Sequence, residues 1–222
     1  MNDEMREPVT SPYHHTGRSE MARLVPDRVS RLLDVGCNTG AFGEGLKRSR
    51  SIEVWGIEPN AVAAARAQQL LDKVLIGPFN EQCAVPDSYF DAVAFNDVLE
   101  HMEDPAGAVR LATRKLREGG KIFVSLPNFR HIDNLLHIVV DADFEYLESG
   151  IRDRTHLRFF TRKSALRFFE SCGVYVEHVQ GINEQWYSTK LWRKLMYRFL
   201  RPHVDDTRFI QFAFVLGLSR SQ

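Results

Sequence analysis

Two stretches of the chain carry residue types and spacings that could bind or transform a small molecule. In the first, LLDVGCNTGAFGEGL (32–46), residues Asp34, Gly36, Cys37, Asn38 and Gly40 fall in or beside a short turn that ends an apolar run. Glycines at 36 and 40 let the backbone turn tightly and approach a ligand closely. Glu58 closes the next apolar run, about 20 residues on, where a carboxylate can take both hydroxyls of a ribose. Together they point to a ligand containing a nucleoside. A dinucleotide fingerprint G-x-G-x-x-G begun at Gly36 would need glycine where Asn38 and Ala41 stand, and no GxxxxGK(S/T) loop is present for a triphosphate. The turn holds no lysine or arginine to meet phosphate, and Asp34 leads it. Such a turn suits a ligand with an amino-acid ammonium and a cationic sulfur, and S-adenosylmethionine has both.

The second set is dispersed. His101 follows a later apolar run in LEHMED, and His156 lies in RDRTHLRFF among Asp153, Arg154 and Arg158. A hydroxyl that attacks an electrophile must lose its proton to a base, and histidine titrates in the right range. His101 either lines an acceptor pocket or braces the helix that follows it. His156 is the other candidate base, with Asp153 either orienting it or pairing with a neighbouring arginine on a solvated face. Asp97, Glu100 and His101 could assemble a magnesium site, but adjacent residues tend to point apart, so no metal is expected. Cys37, Cys83 and Cys172 form neither a CxxC pair nor a Cys/His cluster, which argues against zinc and a disulfide framework.

The elements that must position these groups follow from the periodicity of apolar residues. RLLDVG (31–36), IEVWGIE (52–58), KVLIG (73–77), FDAVAFND (90–97) and KIFVSLP (121–127) read as strands. Helices alternate with them: AFGEGLKRS, then AVAAARAQQLL capped by Asn60, then AGAVRLATRKLRE entered through Asp104-Pro105 and stopped by Gly119-Gly120. That alternation predicts a doubly wound, Rossmann-like α/β sheet. Beyond it come a lid-like insertion (129–160), a helix TRKSALRFFESCG, a strand VYVEHVQGI, a helix within 188–201 and a closing strand RFIQFAFVLGLS. The expectation is seven strands, mostly parallel with an antiparallel last strand.

Lys+Arg and Asp+Glu both number 29 among 222 residues, so the net charge is zero and a phosphate backbone is not the expected partner. Residues 1–12 read as a disordered arm before a single domain over 13–222. The first residues lack the apolar core of a signal peptide, and no run reaches the length that spans a bilayer. A reduced, cytoplasmic protein is expected. The basic amphipathic helix KLWRKLMYRFLRPH could lie on an anionic membrane, but an ordinary packed helix or a dimer contact is the preferred reading.

LLDVGCNTGAFGEGL resembles the first signature of class I S-adenosylmethionine-dependent methyltransferases, VWGIEPN the second, FDAVAFNDVLEHMEDP the fourth-strand signature, and LREGGKIFVSLPN the entry to the fifth strand. The later stretch RDRTHLRFFTRKSALRFFESCGVYVE resembles small bacterial methyltransferases found with polysaccharide glycosyltransferases and, more weakly, the ubiquinone-pathway O-methyltransferases. The resemblance implies that Asp34, Gly36, Cys37, Asn38 and Gly40 hold the methionine end of the cofactor and Glu58 its ribose. It implies further that Pro59 and the backbone of Phe79 lie near the adenine and Asn96 near the sulfonium. Tyr13, His14, His15 and Arg18 precede the first strand, where the family often folds a segment over the cofactor; Arg18 could meet its carboxylate. Asn38 stands where the family has a central glycine, and Pro78 where it often has an acid. The implied activity is O-methylation of a small polar or sugar-like acceptor, which could be lipid-linked. The alternatives are a phenol or quinone precursor, or a nucleoside-binding pseudoenzyme of the same fold.

Overall fold

The computed structural model describes residues 17–185 and 204–218. The arm 1–12, Tyr13, His14, His15 and the helix expected at 188–201 lie outside the described residues. Seven strands form one sheet: β1 (Arg31–Val35), β2 (Glu53–Glu58), β3 (Lys73–Ile76), β4 (Phe90–Asn96), β5 (Leu116–Pro127), β6 (Val174–Glu184) and β7 (Phe209–Leu218). Their order is β3-β2-β1-β4-β5-β7-β6. The first five are parallel, and β7 runs antiparallel between β5 and β6, as expected.

Helices cover both faces. α1 (Ser19–Ala22), α2 (Ala41–Ser49) and α3 (Ala61–Ala67) belong to the first half, while α4 (Pro105–Lys115), α5 (Ile132–Val139) and α6 (Arg162–Ser171) belong to the second. β4 is buried from Phe90 to Phe95, as a central parallel strand must be. Two apolar layers result. One holds Leu33, Val93, Phe95, Val124 and Phe214, the other Leu32, Val54, Ala92 and Phe123, so alternate residues of each strand serve opposite faces. Caps are local and chemical: Asn60 accepts from the N–H groups of Val62 and Ala63, Asp104 from Gly107, and Thr161 exchanges bonds with Ser164.

One element differs from the sequence reading. The helix expected to run to Glu118 ends at Lys115, and Leu116 already belongs to β5. Its last carbonyls, Arg114 O and Lys115 O, accept from Ser88 and Tyr89, and the buried Lys115 ammonium donates to Val85 O at 2.8 Å and to Asp87. These contacts draw the chain out of the helix and onto β4. The glycine pair then forms a bulge: Phe90 pairs with Leu116, but Ala92 with Lys121.

Candidate active site

In an open α/β sheet, ligands bind at the carboxyl ends of the strands where the order reverses. Here that point lies between β1 and β4, and a cleft of about 670 Å³ opens there, with Gly36, Asn38, Glu58, Phe79, Asn96 and His101 on its walls.

The glycine turn is shaped by three residues in left-handed backbone conformations, Gly36, Asn38 and Gly40. Gly36 has φ 71°, and a Cβ there would stand 2.6 Å from Val98 Cγ2. Asn38 has φ 48°. Asparagine enters this region at lower cost than most side chains, so the turn keeps the path a glycine would give. The N–H of Asn38 donates to Glu58 Oε2 (2.8 Å) and that of Asn60 to Glu58 Oε1 (2.9 Å). The carboxylate is thus fixed at the end of β2, and each oxygen retains acceptor capacity toward the cleft. Pro59 also lines the cleft, as does Phe79, which packs on Phe95 with ring centroids 6.0 Å apart. Cys37 and Gly40 do not line it. Cys37 is buried, with its Sγ facing Gly56 and its thiol pushed up by burial, while Gly40 (φ 85°) starts α2 and packs closely on Ala67.

Asp34 lies behind the turn and is 1% exposed. Burial pushes its carboxyl up to about 7; the neighbouring Asn96 amide opposes this, while the charge of Glu58 adds to it. Asp34 Oδ2 has no hydrogen-bond partner among the described residues. A buried, under-satisfied carboxylate beside the cleft fits a cationic ligand.

Arg18 is in contact with the tip of β4. Its guanidinium donates to Asp97 Oδ2 (2.6 Å) and Ser125 Oγ (2.9 Å), and its Nε to Glu20 (2.7 Å). Asp97 has φ 55°, and its carboxylate also accepts from Ser125 Oγ and the amide of Gln211. Ser125 and Gln211 were not singled out in the sequence. Their signal is a polar residue inside an apolar strand, in KIFVSLP and in RFIQFAFVL.

A second, smaller cavity of about 40 Å³ adjoins the first, lined by Glu100, Asp153, His156 and Gln211. Asp97 and His101 lie on the walls of both. The insertion reaches this point because it is pinned to the loop after β4. Leu157 N and Arg158 N donate to Glu100 O (2.8 and 3.2 Å), and the Arg158 guanidinium donates to Met102 O and Glu103 O (both 2.6 Å).

The two histidines have different surroundings. His156 is buried; its Nδ1 faces Ile151 O at 3.2 Å and its Nε2 lies 4.0 Å from Glu100 Oε1. Burial, then the neighbouring His101, holds its imidazole below the usual range. Asp153 does not contact the His156 ring through its carboxylate; Asp153 Oδ1 accepts from Thr155 N (2.8 Å) and Thr155 Oγ1 (2.7 Å). His101 Nδ1 lies 2.9 Å from Thr155 Oγ1. Glu100 is 1% exposed with neither oxygen hydrogen-bonded among the described residues; burial foremost, then the charge of Asp97, holds its carboxyl well above the usual range. Donor atoms of Glu100, His101 and His156 lie within 4.8 Å of one another. Asp97, the third member considered from sequence, is engaged with Arg18, Ser125 and Gln211 instead.

A family model described as a methyltransferase domain matches residues 13–179. The chain belongs to the class I S-adenosylmethionine-dependent methyltransferase family. Curated relatives of this methyltransferase include the ubiquinone biosynthesis O-methyltransferases of Aeromonas salmonicida (strain A449), 30% identical over 165 residues, and of Alkalilimnicola ehrlichii, 34% identical over 160 residues. These alignments cover 69% and 68% of the chain and just under two thirds of the relatives, 66% and 63%. They are of the quinone type, the weaker of the two likenesses in the sequence. In fold the chain is similar to a SAM-dependent methyltransferase from Archaeoglobus fulgidus (TM-score 0.66, 18% identity, 89% of this chain and 91% of that one). It is also similar to a Thermotoga maritima methyltransferase described as a possible histamine N-methyltransferase (TM-score 0.63, 18% identity, 92% and 90%).

Proposed function

We propose that this methyltransferase transfers a methyl group to a hydroxyl of a small polar acceptor, with His101 as the base. The observation that carries the reading is the position of His101 on the wall shared by the large cleft and the smaller polar cavity. S-Adenosylmethionine bound in the cleft supplies an electrophilic methyl group on a sulfonium. Glu58 would hold the ribose hydroxyls, and Asn96 would line the wall near the sulfur. Asp34 would supply negative charge behind the methionine end, and Pro59 and Phe79 would flank the adenine.

An acceptor hydroxyl entering from the side of the small cavity meets His101 Nε2. His101 would take the acceptor proton while the acceptor oxygen gains the methyl group from sulfur and the cofactor leaves as its neutral demethylated product, and would then release that proton to solvent. Positioning and proton removal are the contributions this geometry can make. His156, buried against Glu100 and absent from the walls of the large cleft, supports the pocket rather than removing the proton.

The lining of the small cavity (Asp97, Glu100, Asp153 and Gln211) favours a hydroxyl-bearing acceptor that can donate hydrogen bonds. A sugar-like polyol meets that requirement. The curated relatives favour a second reading, a phenolic or quinone precursor. The test is calorimetry with S-adenosylmethionine and its demethylated product, followed by turnover with catechol and with methyl glucoside. Binding without turnover of either, across a wider acceptor screen, would argue for a nucleoside-binding protein. In His101→Gln, turnover is expected to fall on the order of 10²–10⁴-fold with cofactor affinity kept; unchanged turnover would remove His101 as the base.

A further inference from the structure

The tautomer of His101 can be read from its neighbours. Its Nδ1 faces two oxygens of one residue, Thr155 Oγ1 at 2.9 Å and Thr155 O at 3.3 Å. The carbonyl can only accept. The hydroxyl has one proton, and Oγ1 lies 2.7 Å from Asp153 Oδ1, which also accepts from Thr155 N at 2.8 Å. A carboxylate has no proton to give, so the hydroxyl donates to Asp153 and accepts from the ring. Nδ1 therefore carries a hydrogen, and in the neutral ring Nε2 is left with its lone pair.

We propose that Thr155 and Asp153 form a positioning relay that holds His101 as the Nδ1–H tautomer with Nε2 presented as a base. Thr155 is the positioning residue and Asp153 fixes the direction of its hydroxyl. Neither needs to touch the acceptor or the cofactor. The relay exists only because the insertion is docked on the loop after β4 by Leu157 and Arg158, which brings residues 54 positions apart into contact. When His101 takes up a proton, the developing imidazolium faces an accepting hydroxyl backed by a carboxylate, which favours that charge. The use of Nε2 as base rests on the function proposed above; the tautomer does not.

The two are tested separately. On protein labelled with ¹⁵N-histidine, with the His101 signals assigned by their loss in His101→Gln, long-range ¹H–¹⁵N correlation spectra report which ring nitrogen bears the proton without any acceptor. The wild-type chain is expected to show the Nδ1–H form of neutral His101, Thr155→Val to weaken that preference because only the longer contact to Thr155 O remains, and Thr155→Ser to restore it. A wild-type Nε2–H tautomer, or a Thr155→Val spectrum identical to wild type, would overturn the relay. So would ring signals that change on EDTA treatment, because Glu100, His101 and His156 would then be sharing an ion. With a turned-over acceptor, Thr155→Val is expected to lower kcat ten- to hundredfold with the dissociation constant of S-adenosylmethionine unchanged, and serine to recover most of the loss. A preserved tautomer effect alongside full activity in His101→Gln would keep the relay and reject the base.

Discussion

Arg18 and Asp97, 79 residues apart in the chain, meet in an ion pair of 2.6 Å at the tip of β4. The two side chains are only 10% and 14% exposed, so water screens them poorly. The pair ties the segment before β1 to the carboxyl end of the central strand, where the cleft begins. Removing the arginine leaves Asp97 with the hydroxyl of Ser125 and the amide of Gln211 and no opposing charge from Arg18. Arg18→Met is therefore expected to cost roughly 3 kcal/mol of folding stability. Adding Asp97→Asn to that variant should recover part of the loss, since no uncompensated charge then remains. Denaturant melts of the four members of this cycle measure the coupling; simple additivity would show that the pair contributes nothing of its own.

With Asp34 behind the methionine end of the cofactor, as proposed above, cofactor binding is expected to depend on pH. Its carboxyl, held up to about 7 by burial, is only partly ionised in the free protein near neutrality. A cationic ligand draws the ionised form, so affinity for S-adenosylmethionine should rise as pH increases, by roughly tenfold per unit below about pH 7, and level off above it. Stability of the free protein runs the other way. The folded pKa lies above the unfolded one, so ionisation favours the unfolded chain, and stability present below about pH 4 is lost as pH rises to about 7. Asp34→Asn should flatten both profiles. Calorimetry across this range checks the first, and an affinity that stays constant in the wild-type protein would contradict it.

The glycine turn gives opposite expectations for neighbouring positions. At Gly36 a methyl group meets Val98 and a φ of 71°, so Gly36→Ala should weaken cofactor binding and destabilise the fold by about 1–2 kcal/mol. At Asn38 the backbone already follows the route a glycine takes. Asn38→Gly should therefore preserve affinity within a few-fold, whereas Asn38→Val, branched at Cβ, should strain the turn. Equal losses in Asn38→Gly and Asn38→Val would mean that the asparagine side chain itself binds the ligand.

The sheet was legible because its determinants are local: apolar runs of strand length, glycines after them, and Asn60, Asp104 and Thr161 at helix starts. The glycine turn and Glu58 were legible for the same reason, because their spacing along the chain fixes their meeting in space. Helix α4 was read three residues too long because its end is set by Ser88 and Tyr89, which take its carbonyls from a distance. Thr155 escaped notice on similar grounds. A threonine in a polar loop has no pattern, and its role depends on where Arg158 fastens that loop. Asp153 was read as orienting His156 or pairing with a neighbouring arginine, but its carboxylate faces Thr155, an interaction that spacing along the chain does not encode.

Glu100 stores a pH-dependent penalty at the smaller cavity. The carboxyl is buried without a hydrogen-bond partner among the described residues and is held well above its usual range. As pH rises from the unfolded value toward the folded one, only the unfolded chain ionises, and each such unit costs the fold about 1.4 kcal/mol. Glu100→Gln keeps the shape and removes the ionisation. The variant should match wild type in acid and exceed it in thermal stability at alkaline pH. Parallel melting curves at all pH values would show that Glu100 is ionised and partnered in the folded protein.

Arg158 fastens the insertion to the loop after β4. Its guanidinium spans two carbonyl oxygens, Met102 O and Glu103 O, both belonging to residues on the wall of the large cleft. Lysine can reach one of them but cannot present the flat fork that reaches both. Arg158→Lys should therefore recover only a minor part of what Arg158→Ala loses. The charged bonds are exposed at one end, so the loss in global stability should be modest, about 1–2 kcal/mol. The local effect should be larger: amide hydrogens of Leu157 and Arg158, bonded to Glu100 O, would exchange faster, while those of β1 and β4 would not. Because the same docking holds Thr155 against His101, both variants should also lose the Nδ1–H preference of that ring. Protection of residues 157 and 158 that survives Arg158→Ala would show that the insertion is held by its two backbone bonds to Glu100 alone.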